Sequence, residues 1–592
     1  MDQPQAEIPA LPPGVNSDEA ALRLMSLAES FRTRRTPKYK LAIKCLMAAH
    51  KIPCSIELSA RVGLETGKLL WYYTKNVTLA RFHLENSYKK FKEIKEKSDT
   101  ASLRLQTVCM IGEIYLEERC YETIRIILLE EIETAKKFPR FQAKMLFILT
   151  EVYIKTKEFE KALEIVKQGA AFFQQANEVV LVCYFGLIKC LIYSIQSHQY
   201  QMELGESVAE LGELLNKVPA EASALEDIRA FCYSIQLSFF LAAGFFTNSK
   251  KCLQQLHLTV QLASKKENEM KPHFRWLSSE MLTAIAYVLT VLTNIQFNNT
   301  ERAKRYFHTS IKHFEALRSN WNRAHWPVIE RSYEQLTDQL EIIVYEAIAP
   351  TFLIIGHPED CLSYIQQMKE LISKNSHLIQ DFNAQFHCIL GTYAAYFCDT
   401  EAAKTHFTLA AKSSVDQDLV VFSYLSLGLV YLYAGNRVEY YNAIDKMSNG
   451  SFAKNTRALI SLVNAANTYL QDRVDECKQY IGQCLNISQE AEMGKIQALA
   501  SLLLSTLVKG DEDAMNVGIS WAEKLGDVSL RLWGCYQKCE QLKKANDTQN
   551  YELKMAEVNE LKQLLEANRQ KAKSMPEHNQ LLNLTDLNAE IH

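Results

Sequence analysis

Several residue groups in this 592-residue chain approach a chemical motif, and each misses a defined requirement. A nucleotide-phosphate loop needs a glycine five positions before its Gly-Lys pair and a hydroxyl after it, because backbone N–H groups and the Lys together cradle the phosphates. Gly67-Lys68 has Val62 and Leu69 at those positions. No G-x-G-x-x-G, G-x-S-x-G or H-E-x-x-H occurs. Asp511 and Asp513 open like a calcium loop, but Met515 takes a ligand position and Asn516 the position that requires glycine. Cys535 and Cys539 lie one helical turn apart, and no C-x-x-C pair completes a zinc set. His308 and His313 fall on different faces of a helix. The expectation is a non-catalytic chain with no cofactor and no metal.

One charge feature remains. From Phe31 to Lys51 there are seven basic residues and no acidic one: Arg32, Arg34, Arg35, Lys38, Lys40, Lys44 and Lys51. This is either the solvated face of a first helix pair or a patch for DNA, chromatin or an acidic partner. Arg32 to Arg35 also overlaps a weak nuclear-import pattern.

The elements that position these residues are set by composition. Lys and Arg number 66 against 69 Asp and Glu, a formal charge of −3, which excludes a tail-driven nucleic-acid binder. Hydrophobic residues are 48% and charged residues 23%, so the bulk folds. Only 20 Gly and 13 Pro are present. That is about half the usual share and points to long helices joined by short turns. The 15 cysteines have no regular spacing and read as buried thiols of a reduced protein. The longest apolar tract, Ala230 to Phe246, is broken by Ser234, Gln236 and Ser238 and is read as a core helix, so no membrane contact is expected.

From Ala21 to about Asn546 apolar residues recur at helical spacing, with almost no strand-like alternation. Within that pattern a two-helix unit repeats. The first helix carries a large apolar residue, a small one, then an aromatic; the second carries small, large and small. Leu149, Thr150 and Tyr153 are followed by Ala162, Val166 and Gly169, with twelve residues between the small positions Thr150 and Ala162. Leu390 and Gly391 pair with Ala403, Phe407 and Ala410 at the same spacing. Ile111-Gly112 with Tyr115, and Leu427-Gly428 with Tyr431, start further units. The spacing predicts an all-α, irregular tetratricopeptide-like superhelix of about a dozen helix pairs, an α-solenoid with a concave groove. The expected organisation is a disordered tail over 1–20, the superhelix over 21–546, an amphipathic C-terminal helix over 547–573 bearing Tyr551, Met555, Val558, Leu561 and Leu565, and a flexible tail over 574–592.

Longer strings carry a family resemblance. They are Ala28-Glu29-Ser30-Phe31-Arg32-Thr33 before Pro37; Thr74-Lys75-Asn76 with Ala80-Arg81-Phe82-His83-Leu84-Glu85; Phe274-Arg275-Trp276-Leu277 with Glu280, Tyr287 and Thr290-Val291; Ala384-Gln385, His387 and Leu390-Gly391-Thr392-Tyr393; Val528-Ser529-Leu530-Arg531-Leu532-Trp533; and Pro576-Glu577-His578-Asn579. In these the chain resembles the MAU/Scc-type chromatid cohesion factors, the tetratricopeptide subunits of the cohesin loader. Residues 440–460 and 535–573 depart from that pattern, as in a divergent invertebrate member such as a nematode's. The resemblance implies a scaffold that forms a heterodimer with a large Nipped-B-type HEAT-repeat subunit and promotes loading of the cohesin complex for sister-chromatid cohesion. It implies chromatin or DNA contact that is mainly indirect, nuclear localisation with a cytoplasmic pool besides, and a developmental role that includes neuronal and cell migration.

Groove positions follow from the repeat. On the helix carrying Thr150, superhelix geometry turns Phe147, Glu151, Ile154 and Lys155 inward; on the helix carrying Gly391 it turns Gln385, Thr392 and Tyr396 inward. An extended partner suits such a groove. The alternative is a generic tetratricopeptide adaptor of another complex, for example one gripping acidic C-termini. That would need a clamp of Lys and Arg on consecutive first helices, and the sequence does not provide one.

Overall fold

The computed structural model describes residues 16–587 except 75, 95–97, 196–199, 220–224, 244, 267–276, 324–330, 375, 448–451, 453 and 509–510. Residues 1–15 and 588–592 of the two expected tails, and Phe274-Arg275-Trp276, lie outside the described residues. All regular structure among the described residues is helical.

The helices fall into two compact units, Met1–Leu225 with Arg318–Glu334, and Glu226–Leu317 with Gln335–His592. The first contains α1 (Ser17–Arg32), α2 (Tyr39–Ala49), α3 (Ile56–Tyr73), α4 (Val77–Glu93), α5 (Ser98–Glu117), α6 (Tyr121–Ala135), α7 (Pro139–Lys155), α8 (Phe159–Gln175), α9 (Val179–Ile195) and α10 (Gln201–Lys217). The second begins with α11 (Leu225–Ala243), α12 (Phe246–Lys266), α13 (Ser279–Gln296), most of α14 (Thr300–Arg323) and of α15 (Arg331–Ile354), α16 (Pro358–Ile372), α17 (Ser376–Tyr396), α18 (Thr400–Ser413), α19 (Gln417–Tyr433) and α20 (Arg437–Asp445), the residues 318–334 at the end of α14 and the start of α15 falling in the first unit. It continues with α21 (Lys454–Tyr469), α22 (Val474–Glu490), α23 (Gly494–Leu507), α24 (Glu512–Leu525), α25 (Val528–Lys544), α26 (Thr548–Lys573) and α27 (Pro576–Leu582).

Caps and turns account for helices this regular in a chain this poor in glycine. Asp399, Asp511, Asp527 and Asp547 accept N–H groups that the first turn of a helix leaves unpaired. At the far ends one residue enters the left-handed region and the N–H after it reaches back to close the helix. At the end of α7, Lys157 has φ 63° and Glu158 N donates to Tyr153 O at 2.8 Å. At the end of α17, Cys398 has φ 59° and Asp399 N donates to Ala394 O at 3.0 Å. Arg119, Asn177, Asn298, Asp472, Glu492 and Asn546 take the same conformation, so residues other than glycine make most of these turns.

Small residues set how closely paired helices approach. A Cβ on Gly67 would lie 2.5 Å from Leu84 Cγ of α4, and one on Gly391 would lie 2.8 Å from the Phe407 ring of α18. Ala80, Ala162 and Ala403 on the second helices are fully buried. The stacking has a curvature that can be read from neighbours. Odd-numbered helices touch the next odd-numbered helix: α1 with α3, α3 with α5, α5 with α7, and α17, α19, α21, α23 and α25 in sequence. Among the described residues no even-numbered helix makes comparable contact with the next even-numbered one. In a two-layer stack, the layer whose members touch is the inner one. Helices α1, α3, α5 and α7 therefore form an inner layer in the first unit, and α17, α19, α21, α23 and α25 one in the second.

Two expectations about the ends are corrected. The tail over 1–20 stops short, because Asn16 caps α1 by accepting from Asp18 N and Ala21 is already buried, so Ser17 to Ala20 are helical. The tail over 574–592 is not loose over its described part: α27 packs on α16 and α17, and Leu581 and Leu587 are buried. α26 sets the Tyr551, Met555, Val558, Leu561 and Leu565 stripe against α25, where Cys535 and Cys539 are core thiols rather than ligands.

Candidate partner-binding groove

Each inner helix with a small residue at its centre presents side chains at fixed offsets from that residue. Six before, one after and five after Thr150 stand Lys144, Glu151 and Lys155 on α7. The same offsets from Gly67 give Arg61, Lys68 and Tyr72 on α3, from Gly112 give Gln106, Glu113 and Glu117 on α5, from Gly391 give Gln385, Thr392 and Tyr396 on α17, and from Gly428 give Phe422, Leu429 and Tyr433 on α19.

Neighbouring protein desolvates several charged side chains of the odd-numbered helices. Glu151 is exposed, yet desolvation raises its carboxyl above the ordinary range against the pull of Lys155. Lys495 of α23 is also exposed, and desolvation lowers its ammonium against the pull of Asp527. Half-exposed Glu346 of α15 is pushed up to about 7 by desolvation and by Asp416. A side chain that water reaches but protein crowds lies on the wall of a depression, where charge is poorly screened. In the first unit the wall is braced from within. Trp71 Nε1 donates to Glu113 at 3.2 Å, and Lys144 pairs with the same carboxylate. Burial works to lower the Lys144 ammonium, but Glu113, with Cys109 and Tyr72, holds it above its ordinary value. Burial and Glu113 push the Tyr72 hydroxyl up to about 12.

The seven expected groove residues fare differently. Glu151 and Lys155 are exposed and Ile154 is half-buried, all on α7. Phe147 is largely engaged in packing, its ring centroid 4.7 Å from that of Phe185 on α9. Gln385 and Thr392 are half-buried, and Thr392 Oγ1 donates to Cys388 O at 3.0 Å. Tyr396 is half-buried: Arg569 of α26 stacks 4.9 Å from its ring centroid and donates to its carbonyl at 3.1 Å. The residues not anticipated are Lys144, Lys495 and an apolar trio on α19, where Phe422 is 39%, Leu429 45% and Tyr433 70% exposed.

The other motifs resolve into structure. Gly67 is a close-approach glycine inside α3, and Asp511 caps α24. His313 Nε2 lies 3.1 Å from Glu280 O with its ring against Tyr287. In the basic segment Arg32 pairs with Glu29 through Nε at 2.7 Å and through a second short contact. Arg34 lies over the Phe31 ring at 4.7 Å, while Arg34, Arg35, Lys38, Lys40 and Lys44 are exposed. Charge reversal at Arg34, Arg35 and Lys38 is expected to leave the thermal midpoint within about 2 °C, since exposed positions contribute under ~0.5 kcal/mol. If the patch acts, the triple variant also weakens chromatin association in fractionated nuclei; an unchanged chromatin fraction leaves a solvated face.

These features define a tetratricopeptide-like α-solenoid with a mixed-charge, partly apolar inner face, and no Lys/Arg clamp on the consecutive helices α3, α5 and α7. The sequence profile described as "Cohesin loading factor" matches residues 24–530, and the chain belongs to that family. The chain is 24% identical to the MAU2 chromatid cohesion factor homolog of Aedes aegypti, with 88% of this chain and 84% of that one covered. It is 25% identical to Maternal uncoordinated protein 2 of Caenorhabditis elegans, over 88% of this chain and 89% of that one. The fold is similar to that of Scc4 in its crystal structure in complex with Scc2n, with TM-score 0.61, 10% identity, and 92% and 98% of the two chains covered. No helix among the described residues is long and apolar enough to cross a membrane.

Proposed function

We propose that this chain is the non-catalytic scaffold subunit of a cohesin-loading complex and that its inner face holds a long segment of a Nipped-B-type HEAT-repeat partner. The family match over residues 24–530 carries the reading. The inner face supports it, since alternating charge with apolar rungs suits an extended polypeptide better than a single anionic terminus. Through that partner the chain acts on the cohesin complex and touches DNA mainly indirectly. It works in the nucleus with a cytoplasmic pool, and its loss affects development, including cell and neuronal migration. Along the five inner helices α17 to α25 of the second unit, rungs at ~8–10 Å give a path of about 30–40 Å, which an extended segment covers with at least ~10 residues. Affinity isolation of the full chain from nuclear extract tests the assignment. A near-equimolar, much larger HEAT-repeat subunit is expected; its absence, with a different stoichiometric partner in its place, would overturn it.

A further inference from the structure

The C-terminal helices belong to the second unit twice over. α26 packs along α25, its predecessor, and its far end reaches α16, some two hundred residues earlier in the chain. Asn568 Nδ2 donates to Gly356 O at 2.8 Å, Lys571 Nζ meets Glu359 Oε1 at 3.0 Å, and Arg569 lies on Tyr396. A Cβ on Gly356 would meet Val528 at 3.3 Å and Leu565 at 3.4 Å, so the α15–α16 turn sits directly on α25 and α26. Beyond that crossing, α27 brings its own His578 to a seat that includes His387 of α17 and His406 of α18. Tyr393 Oη lies 2.9 Å from His578 Nδ1, His406 Nε2 lies 3.0 Å from Leu582 O, and His387 Nδ1 lies 3.1 Å from His406 Nδ1. The family match ends at residue 530, before α26 begins.

We propose that α26–α27 is a latch that closes the inner face of the second unit into a loop, so that a partner segment lying there is trapped until the latch lifts. The trapping part rests on the groove reading above; the closure does not.

Hydrogen-bond logic fixes how the seat works. A carbonyl only accepts, so His406 Nε2 carries the proton that goes to Leu582 O, and neutral His406 then accepts at Nδ1 from His387 Nδ1–H. Protonating His406 places two N–H groups against each other and breaks the chain of bonds. Every histidine of the seat is held neutral by burial. His387 is pushed down to about 4 by desolvation and by His406, with Asp586 opposing. His406 is lowered by desolvation, with the Leu582 carbonyl and Asp399 opposing. His578 is lowered by desolvation and by Lys573, with Asp399 opposing. Lys573 also faces the Phe397 ring, which packs on His578. Because these folded-state values lie below the ordinary one, the seat's stability is complete above pH ~6.5 and is lost as pH falls toward 4.

Hydrogen exchange of the full chain at pH 7.5 and 5.5, corrected for intrinsic rates, tests the closure. The opening constant of the seat, read at α27 and at α17, which carries His387, should rise about tenfold at pH 5.5, as linkage gives for one histidine held near 4. α5 to α8, which carry no histidine, should change less than twofold. His406→Gln, which keeps one donor and one acceptor, should reduce this pH response. Equal responses in all helices, or none in α27, would overturn the latch. For the trapping, Leu581→Asp should speed dissociation of the partner's N-terminal segment at least tenfold at pH 7.5 while α3 to α8 keep their protection. Unchanged dissociation with α27 exchanging freely would overturn trapping and leave the groove reading standing. No binding of that segment by the wild-type chain would instead overturn the groove reading.

Discussion

Replacing Gly391 by valine is expected to lower the unfolding free energy by about 3 kcal/mol, at the upper end of what overpacking costs. Even the first added carbon would sit 2.8 Å from Phe407 Cδ1 and Cε1. Phe407 is 2% exposed and cannot swing out. The ring must leave its rotamer or α17 must part from α18, and either change opens the joint between a first helix and its second. Gly205 is the contrasting case. It lies inside α10 with nothing within 4 Å of an added methyl, so Gly205→Ala is expected to stabilise by about 0.5–1 kcal/mol through helix propensity alone. Urea midpoints for the two variants should move in opposite directions. Equal and small shifts would mean that close approach at Gly391 does not hold the pair together.

The other large effect concerns the inner face. Glu151, Lys155, Leu429 and Tyr433 are exposed, so truncating them to alanine should spare the fold. Each single truncation is expected to weaken binding of the partner's N-terminal segment by about 1 kcal/mol, or roughly fivefold, as for contacts that are not hot spots. The quadruple variant should lose at least about 2 kcal/mol, roughly thirtyfold, because the α7 pair and the α19 pair are independent sites and add, whereas the two members of each pair lie one helical turn apart and couple. Titration calorimetry with the full chain measures this. A quadruple variant that binds like wild type would remove these four positions from the interface, and one single variant carrying the whole loss would mean a compact docking site.

Much of this architecture is legible in local spacing. Thr150 to Ala162 and Gly391 to Ala403 mark the two-helix unit because a small residue on each helix is what lets the two touch. The same offsets, applied to Gly428, lead directly to Phe422, Leu429 and Tyr433. Their sequence context hides them, because apolar residues on an apolar helix read as core, and α19 has buried side chains on its other faces as well. Lys144 is hidden for the opposite reason, a lysine reading as solvent-facing when Glu113 on the neighbouring helix holds it at the wall. Local spacing cannot reveal the C-terminal seat. Pro576 to Leu582 is one short helix with few apolar residues, and what buries it is Tyr393 and His406, far away in the chain. Arg569 covering Tyr396 is another contact of that kind.

Hydrogen exchange of the full chain, with and without the N-terminal segment of the HEAT-repeat partner, tests the central claim most directly. If the partner runs along the inner face, protection should appear on inner helices, at α7, α19 and α23 among them, while exposed faces of even-numbered helices exchange as before. Protection confined to one helix pair, or lying on the even-numbered layer, would contradict it.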